Sequence, residues 1–197
     1  MIKIALVPGH NGYKGRGDNG CSVSFIDSDQ NLKTVTEFEL MKRMVADLWC
    51  ELTMIPDARF ILAHRGIAEG SYSKLPKELN ALEPDLILEF HLNSAANNKV
   101  QGSEVLYWHT SSKSKKMADL VQGQLVRLMK LKDRGLKPIT SEDRGANILK
   151  NTKAPTVIVE GFFLSNVSNE LQLNTLLEDY KNAMRCALMD IVKEFDK

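Results

Sequence analysis

The sequence predicts a single α/β domain, in which a twisted, mostly parallel (mixed) sheet of about six strands has helices on both faces. Two observations carry this prediction. Apolar runs typical of buried strands alternate with segments whose apolar residues recur every three or four positions, as in helices. The 197 residues can bury one core, and they contain no linker, internal repeat or low-complexity tract. We therefore expect residues 1–197 to form one domain.

The predicted strands are short runs rich in Val, Ile and Leu that stop at Gly, Asn, Pro or charged residues. They are residues 2–8, 59–63, 85–92, 102–109, 146–149 and 156–160, the fifth being only a short extended segment. A stretch rich in Gly, Asn and Asp runs from Asn11 to about Lys33. Long connections in compact domains are commonly functional, so we predict that this one is a structureless lid or binding loop.

The predicted helices are segments with one apolar face. They are residues 37–52, 75–82, 114–131 and a last segment from about residue 168 to the end. The start of the first helix carries a further signal. Thr36 and Glu39 fit a capping box, in which the third helical residue folds back to the cap backbone. Thr34 and Glu37 have the same spacing, so this pattern favours a structural role for Glu39 without settling it.

Charge, hydropathy and cysteine content exclude several classes of function. The 26 basic and 25 acidic residues leave a net charge of +1, which gives no overall field to recruit nucleic acid. No run approaches the roughly 18 to 20 apolar residues that span a bilayer, and the N-terminus lacks the features of a signal peptide. The three cysteines are widely spaced, which predicts no disulfide framework. We expect a cytoplasmic monomer that enters no membrane and binds no nucleic acid.

Two histidines and a glutamate lie at the ends of three predicted strands. His10 follows the first strand, His91 lies near the end of the run that starts at Asp85, and Glu160 ends the run that starts at Thr156. Polar groups at strand ends can converge on one site. A catalytic zinc ion takes three ligands from His, Glu or Asp and leaves one position for water, so His10 and His91 are candidate ligands.

The third ligand and a base complete the predicted site. Glu37 and Glu39 both begin the first helix, and a capping role for Glu39 would leave Glu37 free to bind the metal. On the residues alone both remain candidates, with Glu37 favoured. Glu160 is the candidate base, because burial among apolar residues would raise the pKa of its carboxyl group, while a nearby metal would lower it.

Several fragments, taken in order along the chain, resemble one enzyme family. They are Pro8-Gly9-His10, Glu37 at a helix start, Phe90-His91-Leu92-Asn93, Gly102–Tyr107 and Val159–Asn166. This ordered set resembles the zinc-dependent N-acetylmuramoyl-L-alanine amidases of the third amidase class, and most of all the catalytic domains of phage endolysins and bacterial autolysins.

The resemblance implies a reaction and a role for each site residue. One zinc ion would be held by His10, Glu37 and His91, and Glu160 would be the catalytic base; this favours Glu37 over Glu39. The substrate would be peptidoglycan, cut at the amide between N-acetylmuramic acid and L-alanine, with cell-wall degradation and cytolysis as the result. Asn93 and the loop of residues 11–33 would contact this substrate.

The resemblance also implies a place of action. We expect no separate wall-binding domain, and an enzyme that waits in the cytoplasm of the producing cell, including a phage-infected one, until release exposes it to the wall. Two other functions remain open. A zinc peptidase or deacylase would use the same ligands on another amide. A wall-binding module would need none of the catalytic groups.

Overall fold

The structure is a computed structural model that describes residues 1–11, 18–27, 29–64, 71–97 and 99–195. In these ranges the chain forms eight strands, five α-helices and one short 3₁₀ helix. The strands are β1 (Ile2–Pro8), β2 (Ser22–Ile26), β3 (Leu32–Thr36), β4 (Ala58–Leu62), β5 (Leu86–Asn93), β6 (Ser103–Trp108), β7 (Asp133–Ile139) and β8 (Thr156–Phe163). The α-helices are α1 (Glu37–Leu52), α2 (Leu75–Ala81), α3 (Ser112–Met129), α4 (Ala146–Asn151) and α5 (Glu170–Phe195), and the 3₁₀ helix is Leu164–Asn166.

Six strands form one mixed sheet, as predicted. Their order is β4-β1-β5-β8-β6-β7, and β2 pairs with β3 in a separate antiparallel hairpin. All neighbours in the large sheet are parallel except β6 and β8. The strands β6 and β7 therefore run against the other four. As a consequence, the first residues of β6 lie beside the carboxyl end of β8.

Helices cover both faces of the sheet because its strands are apolar on both sides. On one face α1, α3 and α5 enclose the larger core, to which they contribute residues such as Met41, Val121 and Met184. On the other face α2 and α4 cover a smaller core, with Leu79 and Ile148. In the described part of the chain, no helix combines the length and the apolar character that crossing a bilayer requires.

Three details of the sequence prediction were wrong. Residues 146–149 belong to helix α4, whose six residues are too short to show a helical period. The sixth strand of the sheet is instead β7, whose Gly135 and Pro138 resemble a turn. Because β7 is an edge strand, the missing N–H of Pro138 is tolerated there.

The third error concerns the connection of residues 11–33. Most of its second half is the β2–β3 hairpin, so it is not structureless. This hairpin is hard to recognise because three of the five residues in each strand are exposed, and Phe25 is the one buried residue of the two strands. Residues 12–17 and 28 lie outside the described residues, and the predicted lid function remains a prediction.

Helix α5 packs closely against the sheet at Gly161 of β8. Tyr180 is fully buried and its hydroxyl donates a hydrogen bond to the carbonyl of Val159, at 3.0 Å. The ring of Tyr180 lies so close to Gly161 that a Cβ atom there would be 2.5 Å from a ring carbon. A glycine at position 161 is thus required for the helix to approach the strand.

We expect Gly161→Ala to lower the free energy of unfolding by about 1–3 kcal/mol, the usual cost of forcing an extra carbon into a packed core. The matched control is Gly123→Ala in helix α3, where an added Cβ would meet nothing within 4 Å. Alanine favours helix there, so that variant should be as stable as the parent or more stable. Urea unfolding of the two variants measures the difference, and equal stabilities would contradict the packing argument.

Candidate metal centre

Three side chains from separate elements meet at the carboxyl end of the sheet. His10 follows β1, Glu37 is the first residue of α1, and His91 lies in β5, which is the neighbour of β1. One ligand atom from each of them lies within 4.8 Å of the other two. The Oε1 atom of Glu37 is 3.1 Å from Nε2 of His10 and 2.9 Å from Nδ1 of His91. The sequence predicted this same group of three.

Local structure explains why Glu37 is the glutamate that enters the site. The predicted capping box at the start of α1 is confirmed, because Thr36 Oγ1 accepts from the backbone N–H of Glu39 and Glu39 Oε2 accepts from that of Thr36. The Glu39 side chain therefore caps the start of the helix. Glu37 lies on the buried side of the same turn and is only 2% exposed.

Glu37 is held in the ionised state by its donors. The backbone N–H of Leu92 donates to its Oε1 at 2.9 Å, and that of Cys21 donates to its Oε2 at 3.1 Å. Burial alone would raise the pKa of Glu37, but its hydrogen bonds to His10 and His91 outweigh burial and hold the pKa below the usual value. Burial and the Glu37 charge raise the pKa of the Cys21 thiol, so that thiol stays protonated.

Two glycines make room for this cluster. A Cβ atom at Gly9 would lie 2.3 Å from the His91 ring. A Cβ atom at Gly20 would lie 2.4 Å from Glu37 Oε2 and 2.7 Å from the His10 ring, and the φ of Gly20 is +71°. The backbone can therefore pass directly behind the three candidate ligands only because these two positions have no side chain.

Sheet register places Glu160 and Glu104 beside His91. Glu160 of β8 pairs directly with His91 of β5 on one side and with Glu104 of β6 on the other. Directly paired residues point to the same face of a sheet, so the three side chains form one row. Glu104 reaches this row because β6 is antiparallel to β8.

The carboxyl group of Glu160 is buried and only partly satisfied. Its Oε2 atom is a buried oxygen without a hydrogen-bond partner in the described structure. Burial raises the pKa of Glu160 to about 7; the charge of His91 opposes this shift, and the charges of Glu37 and Glu104 add to it. A carboxyl group with this pKa exchanges a proton near neutral pH, which is the property of an acid and base catalyst.

Glu104 and Arg134 are site residues that the sequence prediction missed. Glu104 accepts hydrogen bonds from Asn93 Nδ2 and from Arg134 Nε, both at 2.8 Å. Nothing in the local sequence marks them, because their position depends on β6 running against β8 and on the unpredicted strand β7. Asn93, the predicted substrate contact, lies at the edge of the site, and Ser94 N–H donates to its Oδ1.

An open cavity of about 790 Å³ lies over the cluster. It is lined by His10, Glu37, His91 and Glu160 and by residues 143–147 at the start of α4. The remaining histidines of the chain, His64 and His109, do not line it. The cavity can therefore admit an extended substrate to the three candidate ligands and the buried carboxyl group.

Comparison with known proteins connects this site to one family. The family described as N-acetylmuramoyl-L-alanine amidase matches residues 4–193, which is nearly the whole chain and includes all four residues of the site. The chain belongs to the N-acetylmuramoyl-L-alanine amidase family. The amidase family assignment and the six-stranded mixed sheet agree with the resemblance that the sequence motifs indicated.

Two relatives show how far this amidase family similarity extends. The chain is 22% identical to the probable cell wall amidase LytH of Staphylococcus aureus over 191 residues, which are 96% of this chain and 57% of the relative. It is 30% identical to N-acetylmuramoyl-L-alanine amidase LytC of Bacillus subtilis (strain 168) over 110 residues, or 55% of this chain and 21% of the relative. The chain thus spans little more than half of one relative and about a fifth of the other.

The fold has a solved counterpart in the catalytic domain of CwlV, an N-acetylmuramoyl-L-alanine amidase from Bacillus (Paenibacillus) polymyxa var. colistinus. The TM-score is 0.76 at 19% identity, and the alignment covers 98% of this chain and 99% of that domain. At this identity the similarity establishes the amidase fold alone.

Proposed function

We propose that the chain hydrolyses the amide bond between N-acetylmuramic acid and L-alanine in peptidoglycan, using one zinc ion held by His10, Glu37 and His91. The observation that carries the proposal is the row of side chains in which Glu160, with an unpartnered buried oxygen, lies beside the three-ligand cluster. Membership of the amidase family supplies the substrate class.

The donor set fits zinc. Two imidazole nitrogens and one carboxylate oxygen are ligands that zinc takes in catalytic sites, whereas magnesium and calcium prefer oxygen ligands throughout. Glu37 stays ionised because its pKa is held low, and it contributes a negative charge toward the cation. Each histidine also has a carboxylate close to its second ring nitrogen, Asp18 at 2.7 Å for His10 and Glu89 at 3.5 Å for His91.

The residues of the chain divide the reaction between them. When bound, zinc supplies Lewis acidity to the amide carbonyl and to the attacking water. Glu160 takes a proton from that water as the new C–O bond forms at the muramoyl carbonyl. As the C–N bond breaks, Glu160 gives the proton to the departing nitrogen of L-alanine, which restores the initial protonation state of the Glu160 carboxyl group. The products are a muramoyl carboxylate and a stem peptide with a free amino terminus.

Asn93 is proposed to orient the substrate. One N–H of its side-chain amide is donated to Glu104, which leaves the second N–H for an oxygen of the muramoyl peptide. Arg134 holds Glu104 from the other side, at 2.8 Å, so the Asn93 amide is fixed in direction. An amide fixed before binding loses less entropy when the substrate arrives.

One experiment tests the function against its two alternatives. Purified protein is incubated with peptidoglycan, with and without a chelator, and the soluble fragments are identified by mass. We expect stem peptides that begin with L-alanine, and their loss when the chelator is present. Cleavage at another amide would establish the peptidase or deacylase instead. Tight binding to the wall without metal-dependent cleavage would leave the wall-binding module.

A further inference from the structure

Glu89 is a buried carboxylate that the proposed reaction does not use. It lies in β5 two residues before His91, on the same face of the sheet, and is fully buried. Its direct neighbours in the sheet are Val7 of β1 and Ile158 of β8, which are both apolar. Neither of its oxygens has a hydrogen-bond partner in the described structure, and Oε1 lies 3.5 Å from Nε2 of His91. Such a group is costly to bury, so its position calls for a reason.

The His91 ring is held in one orientation by four neighbours. Its Nδ1 atom lies 2.9 Å from Glu37 Oε1, and its Nε2 atom lies 3.5 Å from Glu89 Oε1. Gly9 closes one side, because even a Cβ atom there would be within 2.6 Å of three ring atoms. The His10 ring packs edge-on, with the ring centroids 4.8 Å apart. The ring therefore offers Nδ1 to the cluster and Nε2 to the apolar layer that contains Glu89.

We propose that Glu89 is a positioning residue that keeps the proton of His91 on Nε2 and so makes Nδ1 the nitrogen that binds the metal. The inference rests on the zinc site of the proposed function. A neutral imidazole carries one N–H, and the acceptor at one nitrogen decides which nitrogen keeps a free lone pair. A carboxylate in that place also increases the basicity of the ligating nitrogen.

Each of the two histidines is then oriented by a carboxylate, but the carboxylates lie beside different ring nitrogens. Asp18 Oδ1 lies 2.7 Å from Nδ1 of His10, whose Nε2 faces Glu37. Glu89 is near Nε2 of His91, whose Nδ1 faces Glu37. His10 therefore ligates through Nε2 and His91 through Nδ1. Glu89 differs from Asp18 in being fully buried.

The first test separates metal binding from folding. We expect Glu89→Leu to weaken zinc binding by about 10- to 100-fold, the usual effect of removing the acceptor behind a ligating histidine, when it is measured by competition with a chromogenic chelator. The metal-free variant should melt at the same temperature as the metal-free parent or higher, because leucine suits the apolar neighbours and replaces a buried polar group whose oxygens have no hydrogen-bond partner. A purely structural role for Glu89 predicts the reverse, with a lower melting temperature and unchanged zinc affinity.

Two further variants complete the test. Glu89→Gln keeps the shape and an acceptor oxygen but cannot carry a negative charge. Its zinc affinity should therefore fall between those of the parent and Glu89→Leu. This variant keeps the proposal testable if leucine prevents folding. Ser103→Ala is the control, because it removes another buried, unpartnered oxygen at the start of β6. It should leave zinc affinity unchanged. A Glu89→Gln variant that binds zinc as tightly as the parent would overturn the proposal.

A spectroscopic measurement reads the ligating nitrogen directly. In protein labelled with ¹⁵N-histidine and loaded with ¹¹³Cd, we expect the metal to couple to Nδ1 of His91 and to Nε2 of His10. Coupling to Nε2 of His91 would overturn the assignment. Failure of the parent protein to bind zinc or cadmium would instead contradict the proposed metal site itself, so the two failures are distinguishable.

Discussion

Replacing Glu160 with glutamine is expected to lower kcat for the release of stem peptides by about 10²- to 10⁴-fold, the contribution typical of a general acid and base. Glutamine has nearly the same shape, but it cannot take a proton from water or return one to the L-alanine nitrogen. Burial raises the pKa of Glu160 to about 7, which makes it a stronger base than an exposed glutamate. Fragment release from purified peptidoglycan, followed by mass, measures the effect.

The zinc content of Glu160→Gln distinguishes a catalytic base from a metal ligand. Glu160→Gln should still bind one zinc ion per chain, because its side chain is outside the three-ligand cluster. Glu142→Gln is the matched control; Glu142 is exposed, and the same substitution there should leave both kcat and zinc content unchanged. A Glu160→Gln variant with full activity would remove Glu160 from the mechanism, and one without zinc would show that it acts through the metal.

The large sheet was predictable because its buried strands leave strong local signals. The apolar runs of β1, β5 and β8 stand out because these strands are covered on both faces. The edge strand β7 and the exposed hairpin bury little, so their sequences carry no such pattern. Helix α4 was missed because six residues are less than two helical turns.

The site residues whose positions depend on a single strand or helix were predictable from the sequence. His10, His91 and Glu160 each stand at or near the end of an apolar run, and a capping box removes Glu39 from the cluster. Contacts that depend on the pairing of distant strands were not accessible. The bridge from Arg134 through Glu104 to Asn93 requires β6 to be antiparallel to β8, and no local signal in those strands reveals their direction.

Replacing Glu37 with glutamine is expected to abolish zinc binding at micromolar metal and, with it, peptidoglycan cleavage. The Oε1 atom of Glu37 lies 3.1 Å from His10 Nε2 and 2.9 Å from His91 Nδ1 and accepts from the N–H of Leu92, and the carboxylate is the only negative charge in the three-ligand cluster. A neutral amide is a much weaker zinc ligand. The loss in affinity should therefore exceed the roughly 10- to 100-fold that removing a hydrogen-bond partner of a ligand costs.

Glu39→Gln is the matched control two residues further along the same helical turn. Glutamine serves in a capping box as well as glutamate does, so this variant should keep its stability, its zinc and its activity. Elemental analysis after dialysis measures the zinc stoichiometry of the two variants. Their melting temperatures check that both are folded. Loss of zinc from Glu39→Gln with retention in Glu37→Gln would reverse the ligand assignment. Loss from Glu37→Gln alone, in a folded protein, would assign the metal ligand to Glu37, the glutamate of this turn that the capping box leaves free.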